Sequence, residues 1–517
     1  MKKRHSLIKM SGGACLALFS LIAVSCAQDG FDDDERWTTS VRNTQLETPA
    51  VEQIEIAASA DESQTIITWP VVHGAGGYIC SLYDVSNPDN PVVVDGVDSK
   101  LIDGCTLTIS REEDSKYKFS IRTAGNEELN NKEAETTSEK EFSTFTPTYT
   151  TIPDGVDLYQ WFQENPVPVG EEANAIKAEL YAESGLKTEE IYAQALNYDL
   201  APGGEYILSQ SLDFLGSNVT LRASKSQYAN LKMLGGATCF STYAPFSLKY
   251  LDVDCSETDN AVIELSKTPD EAIKGATGGG DYYNIIGGSI NLTKCNFVNV
   301  KDKILFDNSV KYCVETFIMN DCMVQLATAE GGISGQAMVY FKSGFVKDII
   351  IRNSTWFNTT ENSSKYFIQY NNSGRIDRAG YDKNSQTQSV NFINNTFYNI
   401  CKNNDSQWCN YGGFNGQKYT NFEVTGNIWY GCAPNGGGIA RRICGGRGAS
   451  SYGKCLFNNN TYWVNGASET GYESYDTGNV LQTDPAFANP ANGDFTPTGA
   501  DQLQYKAGAP RWITDNQ

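Results

Sequence analysis

Asn353-Ser354-Thr355-Trp356-Phe357 and, further on, Asn394-Asn395-Thr396-Phe397-Tyr398 are two copies of one unit. Each follows a short apolar run, Ile349-Ile350-Ile351 in the first case and Val390-Asn391-Phe392-Ile393 in the second. The unit recurs as Lys294-Cys295-Asn296-Phe297-Val298, Asn320-Asp321-Cys322-Met323-Val324, Gly426-Asn427-Ile428-Trp429-Tyr430 and Asn459-Asn460-Thr461-Tyr462-Trp463. Aligned on Phe297, Met323, Trp356, Phe397, Trp429 and Tyr462, successive copies lie 26, 33, 41, 32 and 33 residues apart. A coil with one supersecondary unit per turn, and insertions looped out of it, produces such a ragged period. In a stack of coils the amides of Asn353, Asn394 and Asn459 are expected to bond from turn to turn, while the aromatic residues stack inside as scaffold.

Downstream of the last copy, Asp484-Pro485-Ala486-Phe487-Ala488-Asn489-Pro490-Ala491-Asn492-Gly493-Asp494-Phe495 leads to Lys506-Ala507-Gly508-Ala509-Pro510. This stretch resembles the closing coil of secreted right-handed parallel β-helix proteins of the pectate-lyase-like superfamily. Upstream, Pro202-Gly203-Gly204-Glu205-Tyr206-Ile207-Leu208, followed by Asn218-Val219-Thr220-Leu221-Arg222-Ala223, resembles their opening coil. The resemblance implies a parallel β-helix over residues 201–517 and a polysaccharide as ligand class, without deciding between cutting and binding. A β-helix must cover the open end of its first coil, which exposes apolar core and unpaired strand edge. Residues 150–200 suit such a cover, because Val156, Leu158, Trp161 and Phe162, then Ile176, Leu180, Tyr181, Ile191 and Ala195, fall at helical spacings. Pro166 and Pro168 divide them into two short helical pieces.

Residues 47–147 alternate with period two in Gln64–Trp69, Gly77–Tyr83 and Lys116–Ala124, which predicts an antiparallel sandwich. The order of Trp69, the Gly77-Tyr78 strand and Tyr117-Lys118-Phe119 resembles a fibronectin type III domain. In that resemblance Trp69 and Tyr117 are core residues, their polar tips expected to find partners. The fold class is therefore all-β, a β-helix preceded by a fibronectin-like sandwich that spaces it from its attachment point.

At the N-terminus, Lys2, Lys3, Arg4 and Lys9 precede an apolar run from Ala14 to Val24, too short to span a membrane, so residues 1–25 read as an export signal. Ala23-Val24-Ser25-Cys26 resembles a lipobox, implying lipidation at Cys26 and an outer-membrane anchor. The acidic run Gln28 to Glu35 lies in a tether, residues 26–46, and is similar to the surface-export signal of lipoproteins in glycan-utilisation systems. Other components of a glycan-uptake system are the partners that this likeness implies.

The whole chain carries a net charge of −22, and cleavage before Cys26 leaves 36 basic against 62 acidic residues. That balance argues against nucleic acid as a partner and demands a local explanation for any polyanion. The two histidines, His5 and His73, both precede the coil, so imidazole supplies neither a base nor a metal ligand there. Of the fourteen cysteines, Cys15 goes with the signal and Cys26 is acylated, leaving twelve with no CxxC; Cys401 with Cys409 and Cys432 with Cys444 are candidate disulfides, and most of the rest behave as small core residues.

Leu251-Asp252-Val253-Asp254 places two carboxylates on one strand face, and with Glu257 and Asp259 they could ligate Ca²⁺; a solvated acidic face is the alternative. Arg441, Arg442, Arg447 and Lys454 form the densest basic cluster, suited to gripping an acidic sugar, with Arg375, Arg378 and Lys383 a second one. Trp408 and Tyr411, near Tyr452, could stack on sugar rings or fill the core. Neither the arginine-centred pattern of pectate lyases nor the paired aspartates of pectin-hydrolysing β-helices is present. The expectation is a surface-anchored binder of pectin-like plant polysaccharide. A uronate-specific lyase working by β-elimination, with Lys or Arg as base and Ca²⁺ or Arg447 as counter-charge, is the alternative, and an adhesion scaffold the third.

Overall fold

The computed structural model describes residues 41–513 apart from 60–63, 87–89, 113, 183, 185, 276–281, 328–336, 359, 362, 373, 404–405, 434–437 and 470–471. The export signal, Cys26 and the tether as far as residue 40 lie outside the described residues. The chain forms two compact units, residues 1–146 and 147–517.

The first unit has two antiparallel sheets, one of three strands (Glu55–Ala58, Gln64–Thr68, Thr106–Ser110) and one of five built around Tyr78–Asp84 and Lys116–Thr123. Every second residue of Lys116–Thr123 is buried, as period-two alternation requires of a sheet with one face on a core. Trp69 stacks on Phe119 at 5.8 Å and meets Tyr78 edge-on at 5.4 Å, and Tyr117 is equally buried. The tyrosines satisfy their hydroxyls, Tyr78 accepting from Val72 N and Tyr117 donating to Glu112 O. The Trp69 indole N–H has no partner, so its apolar area outweighs one lost hydrogen bond.

The second unit is a solenoid of three parallel sheets. A long sheet of ten strands runs from Thr150–Ile152 and Leu196–Leu200 through Phe345–Arg352 to Lys454–Asn458; a second, of eleven, starts at Glu205–Leu208; a third, of seven, runs from Leu212–Asp213 to Cys409–Tyr411. The long sheet thus starts before Pro202. Its cap has three helices rather than two: Leu158–Glu164, Gly170–Leu180 and Thr188–Ala193. Asp157 caps the first through the Tyr159 N–H, and Gly170, at φ 59°, reopens the chain after the two prolines.

Between the long and second sheets each coil from Phe246–Lys249 onward turns on one left-handed residue: Tyr250, Lys294, Asp321, Asn353, Asn394, Gly426 and Asn459, with φ from 51° to 66°. At Gly426 a Cβ would lie 2.1 Å from Asn394 Oδ1, so a side chain there would have to displace that amide. Counting three residues on from each turn gives the true inward column, Phe297, Val324, Trp356, Phe397, Trp429 and Tyr462. Met323 is half-exposed and belongs to the neighbouring register, because the turn of that copy is Asp321 and not Asn320. Phe397, Trp429 and Tyr462 stack in parallel at 5.5 and 5.2 Å.

The amide ladder also lies one residue beyond its expected place. Asn353, Asn394 and Asn459 are the left-handed turn residues; Asn395, Asn427 and Asn460, fully buried, bond coil to coil. Ser354 N donates to Asn395 Oδ1 at 3.0 Å, Asn395 Nδ2 to Asn427 Oδ1 at 2.9 Å, and Asn427 Nδ2 to Asn460 Oδ1 at 3.0 Å. Asp476 ends the ladder, accepting from Asn460 Nδ2 and from the Tyr462 hydroxyl.

The closing stretch is a strap rather than a further coil. After Val480–Leu481 pairs with the last repeat, the chain runs back over the outer face of the second sheet. Ala509 N donates to Thr396 Oγ1 at 3.0 Å, Trp512 Nε1 to Thr355 Oγ1 at 2.8 Å, and Arg511 reaches Asp321 at 2.8 Å. Phe487 and Phe495 pack beneath it on Tyr398.

Candidate functional site

The strap covers the second sheet; the outer face of the third sheet carries chemistry. Its strands are only two to five residues long, and each places a side chain of one shared register outward. The parallel register lines these up as Asp213, Ser241, Glu264, Phe306, Tyr340, Gln369 and Asn410. Seven strands at the usual spacing make a strip about 29 Å long.

In the middle of the strip the Phe306 and Tyr340 rings lie parallel at 5.6 Å, both half-buried. Lys303 Nζ stands 5.0 Å from the Phe306 ring centre and gives two hydrogen bonds, 2.8 and 2.7 Å, to the Asp302 carboxylate. Towards one end, burial pushes the Glu264 carboxyl above its ordinary range; Asp302 adds to the rise, while Lys267, Lys303 and the Asn308 amide at 3.0 Å oppose it. Towards the other end, Gln369 Nε2 donates to Asn371 Oδ1 at 2.7 Å, and Asn371 Nδ2 to the Tyr340 hydroxyl at 2.8 Å. With that hydroxyl already accepting, its proton is available for donation. Gln369 is 6% exposed and its Oε1 has no partner within the protein.

At its Asp213 end the strip meets a cavity of about 730 Å³ beneath the cap, lined by Phe162, Val169, Leu215, Tyr243 and Asp270 besides Asp213. Leu215 is half exposed at φ 52°, a conformation that costs a leucine on the order of 1 kcal/mol. Burial raises the Tyr243 phenol, with Asp270 and Asp213 raising it further.

The residues singled out in the sequence fall elsewhere. Trp408 is fully buried, 4.6 Å from Phe367 in a parallel stack, and Tyr411 is buried with its hydroxyl donating to Ile443 O. Neither can present a ring to a sugar, because the coil encloses both on its inner side. Asp252 and Asp254 do project from a strand whose Leu251 and Val253 are buried, but the four acids form no oxygen cage. Asp252 accepts from Asn296, Asp254 from Ser256 and Asn299, Glu257 pairs with Lys232 and Asp259 with Lys301. Among the described residues no three His, Cys, Asp or Glu converge as a metal site.

Arg441 and Arg442 share the short helix Ile439–Ile443, which packs on the last strand of the third sheet. Burial, then the Arg441 charge, pulls the Arg442 guanidinium down, and Tyr366 of the third sheet opposes them. Arg447 is exposed, and Lys454 instead pairs with Glu423 at 3.5 Å on the long sheet. In the second basic cluster Arg375 and Lys383 both reach Asp377, at 2.6 and 3.7 Å, which offsets part of its charge. The twelve cysteines among the described residues are thiols, so neither Cys401–Cys409 nor Cys432–Cys444 is bonded.

The strip residues drew no notice in the sequence because two-residue strands such as Leu305–Phe306 are too short for periodicity to register. A faint signal exists in Ile304-Leu305-Phe306, Met338-Val339-Tyr340 and Phe367-Ile368-Gln369, each two apolar residues and then the outward one.

Residues 1–184 match a domain of unknown function, DUF4992, and residues 204–359 match a second, DUF4957. The second match contains Glu264, Lys303, Phe306 and Tyr340. No curated protein matches the chain.

Proposed function

We propose that this protein is a surface-anchored glycan-binding protein that holds an extended plant polysaccharide along the outer face of the third sheet. The observation that carries it is the strip itself: the parallel, half-buried Phe306 and Tyr340 rings as apolar surface for a sugar, with Glu264, Lys303 and the Tyr340 hydroxyl for its hydroxyls. The likeness of the opening and closing stretches to pectate-lyase-like β-helices, and of residues 47–147 to a fibronectin type III spacer, supports the same reading. So do the basic start, Cys26 and the acidic run after it, which fit a lipid-anchored protein exposed at the outer membrane beside other uptake components.

Uronate residues are best accommodated towards Arg441 and Arg442, since the opposite end of the strip bears Asp213, Glu264 and Asp270. A lyase reading draws support from Lys303 lying among these groups, but its amine is engaged by both oxygens of Asp302, at 2.8 and 2.7 Å, and not directed at a substrate.

The test is gel retardation of wild type and Phe306→Ala on pectic, alginate, glycosaminoglycan and neutral plant polymers, with and without Ca²⁺, alongside absorbance of new C4–C5 unsaturation. Retardation on a plant polymer that Phe306→Ala weakens at least tenfold, without absorbance, upholds the binder. Absorbance growth makes it a lyase, and silence on both counts leaves a scaffold.

A further inference from the structure

We propose that Cys444 and Cys455 form a disulfide on oxidation and so staple the end of the solenoid. Their sulfurs are 3.9 Å apart, in contact with each other. Other thiols of the coil point at main chain instead: Cys295 donates to Leu248 O at 3.3 Å, Cys322 to Leu292 O at 3.2 Å and Cys432 to Phe397 O at 3.6 Å. Those three are fully buried and burial raises their thiols, whereas Cys455 is half-exposed and within reach of an oxidant. The hydrogen bond between the two sulfurs lowers Cys455 and raises Cys444, so Cys455 is the more acidic thiol of the pair.

Both backbones are already held. Cys444 ends the helix Ile439–Ile443, its N–H bonded to Ala440 O and its carbonyl to the Tyr452 hydroxyl. Cys455 pairs with Phe422 in Lys454–Asn458, the last strand of the long sheet. A sulfur-sulfur bond of about 2.05 Å then needs side-chain rotation rather than a new fold. That last strand is a sheet edge, open to fraying and to pairing with another chain. Tying it to the helix protects the edge and fixes Arg441 and Arg442 beside the strip.

In the reaction the Cys455 thiolate attacks one sulfur of an external disulfide, expelling a thiolate; the Cys444 sulfur, its proton lost to solvent, displaces the second thiolate. One S–S bond forms for the one broken, and two electrons pass to the oxidant.

The experiment oxidises the folded full chain with glutathione disulfide, blocks remaining thiols under denaturation and maps peptides without reduction. The expected result is one linkage, Cys444 to Cys455, with the other described cysteines alkylated, and a higher unfolding temperature that dithiothreitol removes in wild type but that is absent from Cys455→Ala. Alkylation of both cysteines, or linkage of either to another cysteine such as Cys409 or Cys432, overturns the proposal; the mapping on wild type needs no variant to fold.

Discussion

Replacing Asn427 by alanine isolates what the amide ladder contributes. Its Oδ1 accepts from Asn395 N at 3.0 Å and Asn395 Nδ2 at 2.9 Å, and its Nδ2 donates to Phe392 O at 2.7 Å. Asn395 Nδ2 retains Ile351 O at 2.7 Å, and Asn460 Oδ1 retains the Asn427 main-chain N–H at 3.1 Å. The lasting losses are the partner of the Asn395 N–H and a donor to Phe392 O, both in the dry interior. A buried polar group left unpaired costs about 1–3 kcal/mol, so Asn427→Ala should lose about 2–4 kcal/mol. Asn353→Ala is the matched control: it removes a half-buried amide bonded to Asn320 Oδ1 at 3.2 Å and leaves alanine at φ 55°, for about 1 kcal/mol. Urea unfolding followed by the fluorescence of the buried Trp356, Trp408 and Trp429 reads both. Equal losses, or a larger one for Asn353→Ala, would refute the assignment of the ladder to the buried column.

Asp476 gives a pH test. Burial raises its carboxyl, against bonds from Tyr462, Asn460 and Gly478. Folding therefore takes up a proton, and stability from this group is present below the ordinary carboxylate value and lost as pH rises through the raised one. Melting curves between pH 4 and 7 should fall more steeply for wild type than for Asp476→Asn; parallel curves would sink the argument. Trp512→Ala should cost on the order of 2 kcal/mol, because it cuts the strap's bond to Thr355 and its packing on Phe495, and limited proteolysis should then release the C-terminus. Gln369→Ala, which removes the unpartnered acceptor together with the bond to Asn371, should lower the melting temperature by several degrees and weaken glycan retention severalfold at a temperature where the variant is folded. Unchanged retention would remove Gln369 from the site.

The sequence alone determined the class of fold. Unit after unit of apolar strand, turn residue and aromatic residue can bury its apolar face only by stacking, and that requirement holds whatever the loops between do. The strand Leu251–Asp254 and the core residues Trp69 and Tyr117 were legible for the same reason, since period two and large apolar area are local properties. Register was not: a shift by one residue separates Asn394 from Asn395 and Met323 from Val324, and only the position of the left-handed residue in each coil sets it. The strip was even less visible. Glu264, Lys303, Phe306, Tyr340 and Gln369 are separated along the chain by between 3 and 39 residues, and they meet because parallel pairing brings successive coils to strand spacing. Loop length between coils has no bearing on that spacing, so tertiary structure alone decided which side chains share a face.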